Sequence, residues 1–182
     1  GLDGRRSKRR RIGLRRHYQL EPWTDLVEVH WHDRGEAYVT PVGDRLVGVA
    51  MLFEGGPNDF DELLERFPKL QERLLQAPVA STDRGAGPLE QRCRRVVAGK
   101  LALVGDAAGY LDAITGEGLA LAFHQAGAVV DAMLDSNLDR YATAHRLIVR
   151  YPAAVTRLLL AIERRPALRR RVMTSLARDP SL

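Results

Sequence analysis

The segment LALVGDAAGYLDAITGEGLA, residues 101–120, holds the densest set of residues in this chain able to do chemistry. An apolar run stops at Gly105-Asp106, small residues follow, and Gly116-Glu117-Gly118 opens a helix-spaced stretch. A carboxylate fixed at a strand end accepts hydrogen bonds from the hydroxyls of a sugar or polyol. Gly109, Gly116 and Gly118 lack Cβ atoms and let the backbone approach a flat ring closely. A helix starting after Gly116 offers unpaired N–H groups and a partial positive charge, which suit an electron-rich ring edge. The run LALVG is apolar on both faces, as a buried strand of a parallel sheet is. The loop then lies at the carboxyl ends of such strands, where open α/β sheets bind ligands. The competing reading is a tight strand-to-helix connection in which the glycines serve packing and Asp106 caps the helix.

Elsewhere the chemistry is thinner. Glu28, His30 and His32 alternate along one strand, and two imidazoles with a carboxylate can ligate zinc or iron. Exposure to solvent or a cavity outweighs that reading, and no metal is expected. His124 reads as an ordinary helix histidine. The single cysteine, Cys93, forms no internal disulfide and points to a reducing cytoplasm. No Ser-His-Asp spacing, Cys-x-x-Cys pair or Gly-Lys-Ser phosphate loop occurs, so hydrolase and nucleotide-triphosphatase readings lack support. No catalytic residue is assigned.

The elements that must position these residues follow from periodicity. DLVEVHWH, residues 25–32, alternates as a half-buried strand, and Asp33-Arg34-Gly35 turns the chain into a second strand over 36–42. Gly43-Asp44 turns it again into a third over 45–53, which makes an antiparallel meander. Residues 59–75 carry helix-spaced Phe60, Leu63, Leu64, Phe67, Leu70 and Leu74, with a break at Pro68. A loop over 77–88 leads to a short strand over 90–97 and then to LALVG. From Gly118 onward the pattern is helical, with an apolar stripe of Leu119, Phe123, Ala126, Val130 and Met133. Further helices are expected over 138–150, 152–162 and 167–177, with Pro152 and Pro166 as first-turn prolines.

The chain has 182 residues and a formal charge of +5, unevenly spread. Residues 1–16 hold eight Lys or Arg and one Asp, and residues 164–178 hold six Arg and no acid, which leaves the remainder net −8. Basic ends can bind nucleic acid or an anionic membrane surface. No aromatic residue is interleaved in residues 1–16 to stack on bases, so nucleic acid is disfavoured. The arginine-rich final helices allow peripheral membrane contact, although packing on the body explains them equally well. The longest apolar segments fall well short of the roughly 20 residues of a membrane span.

Segment 101–120 resembles the second FAD-binding motif of the flavoprotein monooxygenase and geranylgeranyl-reductase-like superfamily. That motif runs Gly-Asp-Ala-Ala, then a loop ending Gly-x-Gly. Gly105, Asp106, Ala107, Ala108, Gly109, Thr115, Gly116, Glu117 and Gly118 match it. Ala113 stands where the family usually has proline, which loosens the loop. The opening residues resemble the family's internal Asp-Gly motif, with Asp3, Gly4, Ser7 and Arg10 on its positions.

The resemblance implies a mixed α/β fold. It would comprise part of an FAD/NAD(P)-binding Rossmann-like domain, an antiparallel substrate-domain sheet and a helical carboxyl terminus. It divides the chain into an FAD-domain segment (1–20), the substrate-domain sheet with one helix (21–98), an FAD-binding strand-loop-helix (99–135) and C-terminal helices (136–182). It implies FAD as cofactor and NAD(P)H as reductant. Asp106 and Ala107 would sit by the ribose or ribityl chain, with Gly105 at the strand end. Gly116, Glu117, Gly118 and Leu119 would meet the isoalloxazine edge. Asp3, Gly4 and Arg10 would lie on the pyrophosphate or reductant side. The sheet's polar face, counted as Glu28, His30, His32, Tyr38 and Thr40, would touch an organic or lipid-like substrate, unless strand phase turns the Val-Trp face there instead.

The implied function is an FAD-dependent oxidoreductase, first a monooxygenase hydroxylating an organic substrate. A reductase of isoprenoid double bonds comes second, and a flavin-dependent halogenase ranks lower. A non-enzymatic basic module is the reading from a different class. The amino-terminal βαβ unit with its Gly-x-Gly-x-x-Gly turn is missing from this sequence, and Arg84-Gly85-Ala86-Gly87-Pro88 does not link a strand to a helix as that turn would. The chain is therefore expected to be a fragment, cytoplasmic or peripheral to a membrane, that works with an amino-terminal FAD-binding segment.

Overall fold

The structure is a computed structural model that describes residue 4 and residues 11–55 and 59–178. Asp3 and Arg10, with the rest of the basic run over 5–10, lie outside the described residues. The described chain divides into two compact units, one drawn from residues 11–87 and 166–178, the other from residue 4 and residues 88–165.

The first unit is an antiparallel sheet. Its strands are β1 (Arg11–Tyr18), β2 (Glu28–His32), β3 (Gly35–Gly43), β4 (Leu46–Glu54) and β5 (Arg84–Ala86), in the order β2-β3-β4-β1-β5. The meander β2-β3-β4 forms as alternation placed it, except that β2 starts at Glu28 rather than Asp25, with Leu26 and Val27 exposed ahead of it. β1 is an addition to the sequence expectation, because its arginines mask the alternation. Ile12, Leu14, Arg16 and Tyr18 share one face, and register pairs Arg16 with Val49 and Tyr18 with Val47 of the core. Arg16 occupies that face because carboxylates meet it. Its Nε and Nη2 donate to Asp83 at 2.7 and 2.9 Å and its Nη1 to Asp61 at 2.5 Å, with the guanidinium 4.3 Å from the Phe60 ring.

Two short helices cover this face. α1 (Phe60–Leu64) starts at Asp59, whose carboxylate accepts from the Asp61 and Glu62 N–H groups at 2.9 and 3.1 Å. α2 (Pro68–Leu74) begins at Pro68, the break expected from sequence. Phe60, Leu63, Phe67 and Leu70 from these helices pack on Val47, Val49, Met51 and Phe53. Fully burying each such side chain contributes about 1.5–3 kcal/mol. α5 (Pro166–Arg178) belongs to this unit too. Arg169 donates to the His32 carbonyl at 3.2 Å and lies 5.7 Å from the Trp31 ring.

The second unit is smaller in core and mostly helical. β6 (Val97–Ala98) and β7 (Leu101–Ala102) form an antiparallel hairpin, followed by a 3-10 turn over Gly105–Ala108. α3 (Gly118–Leu134) and α4 (Asp139–Glu163) complete it. The core gathers Val96, Val97, Ala108, Ala132 and Tyr141. Tyr141 is fully buried, and its hydroxyl donates to the Leu103 carbonyl at 2.6 Å. That bond ties α4 to the end of the LALVG run.

Three expectations need correction here. LALVG is not a buried strand of a parallel sheet among the described residues. Only Leu101 and Ala102 pair, antiparallel to β6, and Leu101 and Val104 are exposed. A doubly apolar strand needs neighbours on both sides, and β6 is the neighbour described. The strand expected over 90–97 reduces to Val97 in β6 and an isolated bridge between Gln91 and Tyr110. Pro152 does not begin a helix but sits inside α4, where Thr156 Oγ1 donates to its carbonyl at 2.9 Å. A helix of 25 residues tolerates the lost N–H bond because tertiary packing holds the rest.

Candidate functional site

Segment 105–118 is held at its start and middle. Gly105 adopts φ +58, and its N–H donates to Oε1 of Gln125 on α3 at 2.7 Å. Gln125 is 2% exposed, so the start of the 3-10 turn is fastened to α3 by a part-buried bond. The 3-10 turn closes with the Gly109 N–H on the Asp106 carbonyl at 3.1 Å. Tyr110 then exchanges both backbone hydrogen bonds with Gln91, at 2.7 and 2.9 Å. Asp112 folds inward, and its Oδ1 accepts from the Ile114 N–H at 3.1 Å.

Gly4 meets this region as well. Its N–H donates to the Arg92 carbonyl at 2.9 Å, and a Cβ at position 4 would sit 2.0 Å from that oxygen. Only glycine fits there. Of the Asp-Gly motif, Gly4 is thus brought beside the segment that carries Gln91 and Arg92.

The sequence candidates at the loop form one surface. Asp106, Gly116, Glu117, Gly118 and Leu119 line an open cleft of about 440 Å³ with Tyr110, Asp112 and Ala113. Gly105 lies behind it, and Ala107 accepts a contact from the Cys93 thiol at 2.8 Å through its carbonyl. Gly116 has φ +69, and a Cβ added at Gly116 or Gly118 would meet no atom within 4 Å. The glycines therefore leave a bare backbone facing open space rather than packing on a neighbour. Glu117 at the start of α3 makes no side-chain capping bond, and the Asp106 carboxylate is exposed with no hydrogen bond among the described residues. The competing reading, with Asp106 as the helix cap, is not what forms. An uncapped helix start of 17 residues leaves its first N–H groups and partial positive charge to a ligand.

Electrostatics sharpen the cleft. Burial pushes the Tyr110 phenol up to about 12, with the Asp112 and Asp106 carboxylates adding to it. The cleft thus offers an exposed carboxylate in the 3-10 turn, able to accept from hydroxyls, beside bare N–H groups on an open surface.

Behind the loop a second cavity of about 410 Å³ opens, walled by Leu111, Leu121, Val149, Pro152, Ala153 and His145. His124 on α3, read from sequence as an ordinary helix histidine, is exposed. Gln125 and His145 were missed. One residue of phase on a helix, readable only from the fold, separates the exposed histidine from the buried glutamine.

The sheet candidates separate. Register pairs Glu28, His30 and His32 with Val39, Ala37 and Gly35, on the helix-covered face, while Tyr38 and Thr40 share the opposite face with Val29 and Trp31. The five expected together do not form one surface. Glu28 accepts from Trp23 Nε1 at 2.9 Å and lies 3.2 Å from His30 Nε2, and His32 packs by the Phe53 and Phe67 rings. Burial, with Arg66 nearby, holds the His32 imidazole below its usual value. Among the described residues no group of three His, Cys, Asp or Glu is placed to hold a metal ion. No helix among them is long and apolar enough to cross a membrane.

No protein-family model matches the chain, and no curated protein matches it. Solved structures do. A flavoprotein/dehydrogenase from Cytophaga hutchinsonii is similar at TM-score 0.71 and 16% identity, over 93% of this chain and 46% of that one. The Diels-Alderase PyrE3 of pyrroindomycin biosynthesis is similar at 0.70 and 22%, over 92% and 41%. Halogenase PltM is similar at 0.71 and 17%, over 85% and 38%. This chain spans between 30% and 49% of such proteins. The likeness establishes the fold: mixed α/β, with an antiparallel sheet and a helical carboxyl end, matching part of a flavoprotein.

Proposed function

We propose that this chain supplies the isoalloxazine and ribityl side of the flavin site in an FAD-dependent oxidoreductase, monooxygenase-like, that uses NAD(P)H to hydroxylate an organic substrate. The observation that carries the reading is the bare, uncapped start of α3 at Gly116-Glu117-Gly118 beside the free Asp106 carboxylate. The shared fold with flavoproteins, one of them a halogenase solved with FAD, supports it.

FAD, when bound, supplies the electron transfer. The chain's residues do the rest. Asp106 accepts hydrogen bonds from ribityl or ribose hydroxyls. The N–H groups of Gly118 and Leu119 stabilise negative charge on the pyrimidine edge of the ring. Gln125 keeps the loop in place by holding Gly105. Tyr110 donates a hydrogen bond at the cleft wall. Gly4 positions the Arg92 segment, and Asp3 and Arg10 are assigned the pyrophosphate or reductant side by the motif they match. Reduction of an isoprenoid double bond is the alternative chemistry for the same site, and oxygen dependence of substrate turnover separates the two.

A second reading, a basic module for nucleic acid or anionic membrane, is favoured by the exposed Arg170, Arg171 and Arg178 on α5. Titration with FAD, followed by quenching of flavin fluorescence at 50 and 500 mM salt, tests both. Saturable quenching that persists at high salt and disappears in Gly116→Val supports the flavin site. Absent quenching together with steeply salt-dependent polyanion binding supports the module instead.

A further inference from the structure

α4 buries one face and exposes a second that carries its own apolar side chains. Tyr141, Thr156, Leu160 and Glu163 are buried and account for the packing of the helix. Leu147, Tyr151 and Leu158 lie on another side of it, exposed at 58%, 74% and 60%. With the exposed Ala154 they follow the spacing i, i+4, i+7, i+11, which draws one ridge about 17 Å long down the helix. Single exposed apolar residues are ordinary, whereas a continuous ridge of them marks a contact surface.

A row of arginines runs beside the ridge. Arg146, Arg150 and Arg157 each precede one of its large side chains, so they share its helical spacing, and all three are exposed. None of them makes an ion pair among the described residues. Residues 140–162 contain no Asp or Glu, so nothing on this stretch of helix neutralises the row.

Charge and shape together select the occupant. A second copy packed ridge to ridge would bring both arginine rows into one contact with no acid among them. Nucleic acid would use the arginines and leave the leucines in water. The surface of an anionic bilayer uses both: its phosphates take the guanidinium groups, its acyl boundary takes the leucines, and tyrosine suits the level between them. α3 lacks this combination, since its exposed Leu119, Phe123 and Met133 share a helix without Lys or Arg.

We propose that this face of α4 docks on an anionic membrane surface, with Leu147, Tyr151 and Leu158 entering the acyl boundary and Arg146, Arg150 and Arg157 on lipid phosphates. The helix lies along the surface, since no helix among the described residues is long and apolar enough to cross a membrane. The contact uses none of the α5 arginines and does not depend on the loop cleft taking a flavin.

The test is co-sedimentation of the full chain with phosphatidylcholine vesicles, either pure or containing phosphatidylglycerol. Binding is expected with phosphatidylglycerol and should be far weaker without it. Arg150→Gln with Arg157→Gln should weaken it about thirtyfold, each cation contributing about fivefold at an anionic surface. Leu147→Ser with Leu158→Ser keeps every charge and should weaken it at least about tenfold, with circular dichroism and melting near wild type because both residues are exposed. Arg170→Gln with Arg171→Gln on α5 should weaken it less than the α4 pair does. Tyr151→Trp should add emission, above that of Trp23 and Trp31, that brominated acyl chains quench. No binding to phosphatidylglycerol vesicles, equal binding to both kinds, undiminished binding of the folded serine variant, or a larger loss from the α5 pair would overturn the proposal. A chain that ignores both vesicles and binds duplex DNA overturns it in favour of nucleic acid. If the serine variant does not fold, Tyr151→Trp decides, its quenching supporting insertion and the lack of quenching overturning it.

Discussion

Oε1 of Gln125 accepts the backbone N–H of Gly105 at 2.7 Å, which fastens the end of an apolar run to the second turn of the helix that follows it. Gly105, at φ +58, has left the extended conformation, so its N–H needs an acceptor outside a strand ladder. Gln125→Leu keeps much of the volume and removes the acceptor. It should cost about 1–2 kcal/mol and speed amide exchange across 105–109. Hydrogen exchange read by mass spectrometry checks this, and unchanged exchange there would show that the bond does not hold the loop.

Arg11 and Glu36 form an ion pair at 4% and 0% side-chain exposure on the sheet face opposite α1 and α2. Breaking a buried ion pair is costly, and replacing both partners by apolar residues is less so. Glu36→Ala should destabilise by about 3–5 kcal/mol, and the double change Arg11→Met with Glu36→Leu by less than that. Denaturant midpoints of the three chains measure both numbers.

Arg16 makes a two-pronged contact with Asp83 and holds that carboxyl below its usual value. A depressed carboxyl contributes stability that is present above the unfolded-state value and is lost as pH falls through the lower folded one. Arg16→Met should cost about 1–2 kcal/mol at neutral pH, and the difference from wild type should shrink as acid protonates Asp83. Melting curves from pH 7 down to pH 3 follow the convergence.

Tyr110 and Tyr141 are both pushed up to about 12 by burial. Their unfolded value is about 10. A raised folded value leaves stability intact below pH 10 and erodes it as pH climbs from 10 toward 12, because the unfolded chain releases those protons first. Tyrosinate absorbance should show a late-titrating class in the folded chain that vanishes in denaturant.

Alternation made the meander legible because Val39, Val47 and Val49 bury on one face while Tyr38, Thr40, Gly48 and Ala50 do not. β1 was invisible to the same rule, since Arg16 occupies a core-facing position that Asp61, Asp83 and the Phe60 ring make tolerable. Likewise, Glu28 and His30 looked like the companions of Tyr38 and Thr40, and only register shows that they face opposite ways. Periodicity found the stripe Leu119, Phe123, Val130 and Met133 on α3, but not that these side chains are exposed. Residue type and spacing singled out Asp106, Gly109, Gly116 and Gly118, the resemblance added Gly105, Glu117 and Leu119, and the fold brings Asp106 and Gly116 to Leu119 to one cleft. Gln125 gave no such signal, because a single polar residue in a helix carries none until its face is known.

The central claim is that the Gly105 to Leu119 surface takes a flavin, and retention of FAD absorbance through gel filtration tests it most directly. The full chain, mixed with FAD and separated from free nucleotide, is predicted to keep the visible flavin bands, and Asp106→Ala to lose most of them while remaining folded. A folded wild-type chain that elutes colourless, alone and again after co-expression with an amino-terminal dinucleotide-binding half, would contradict the account.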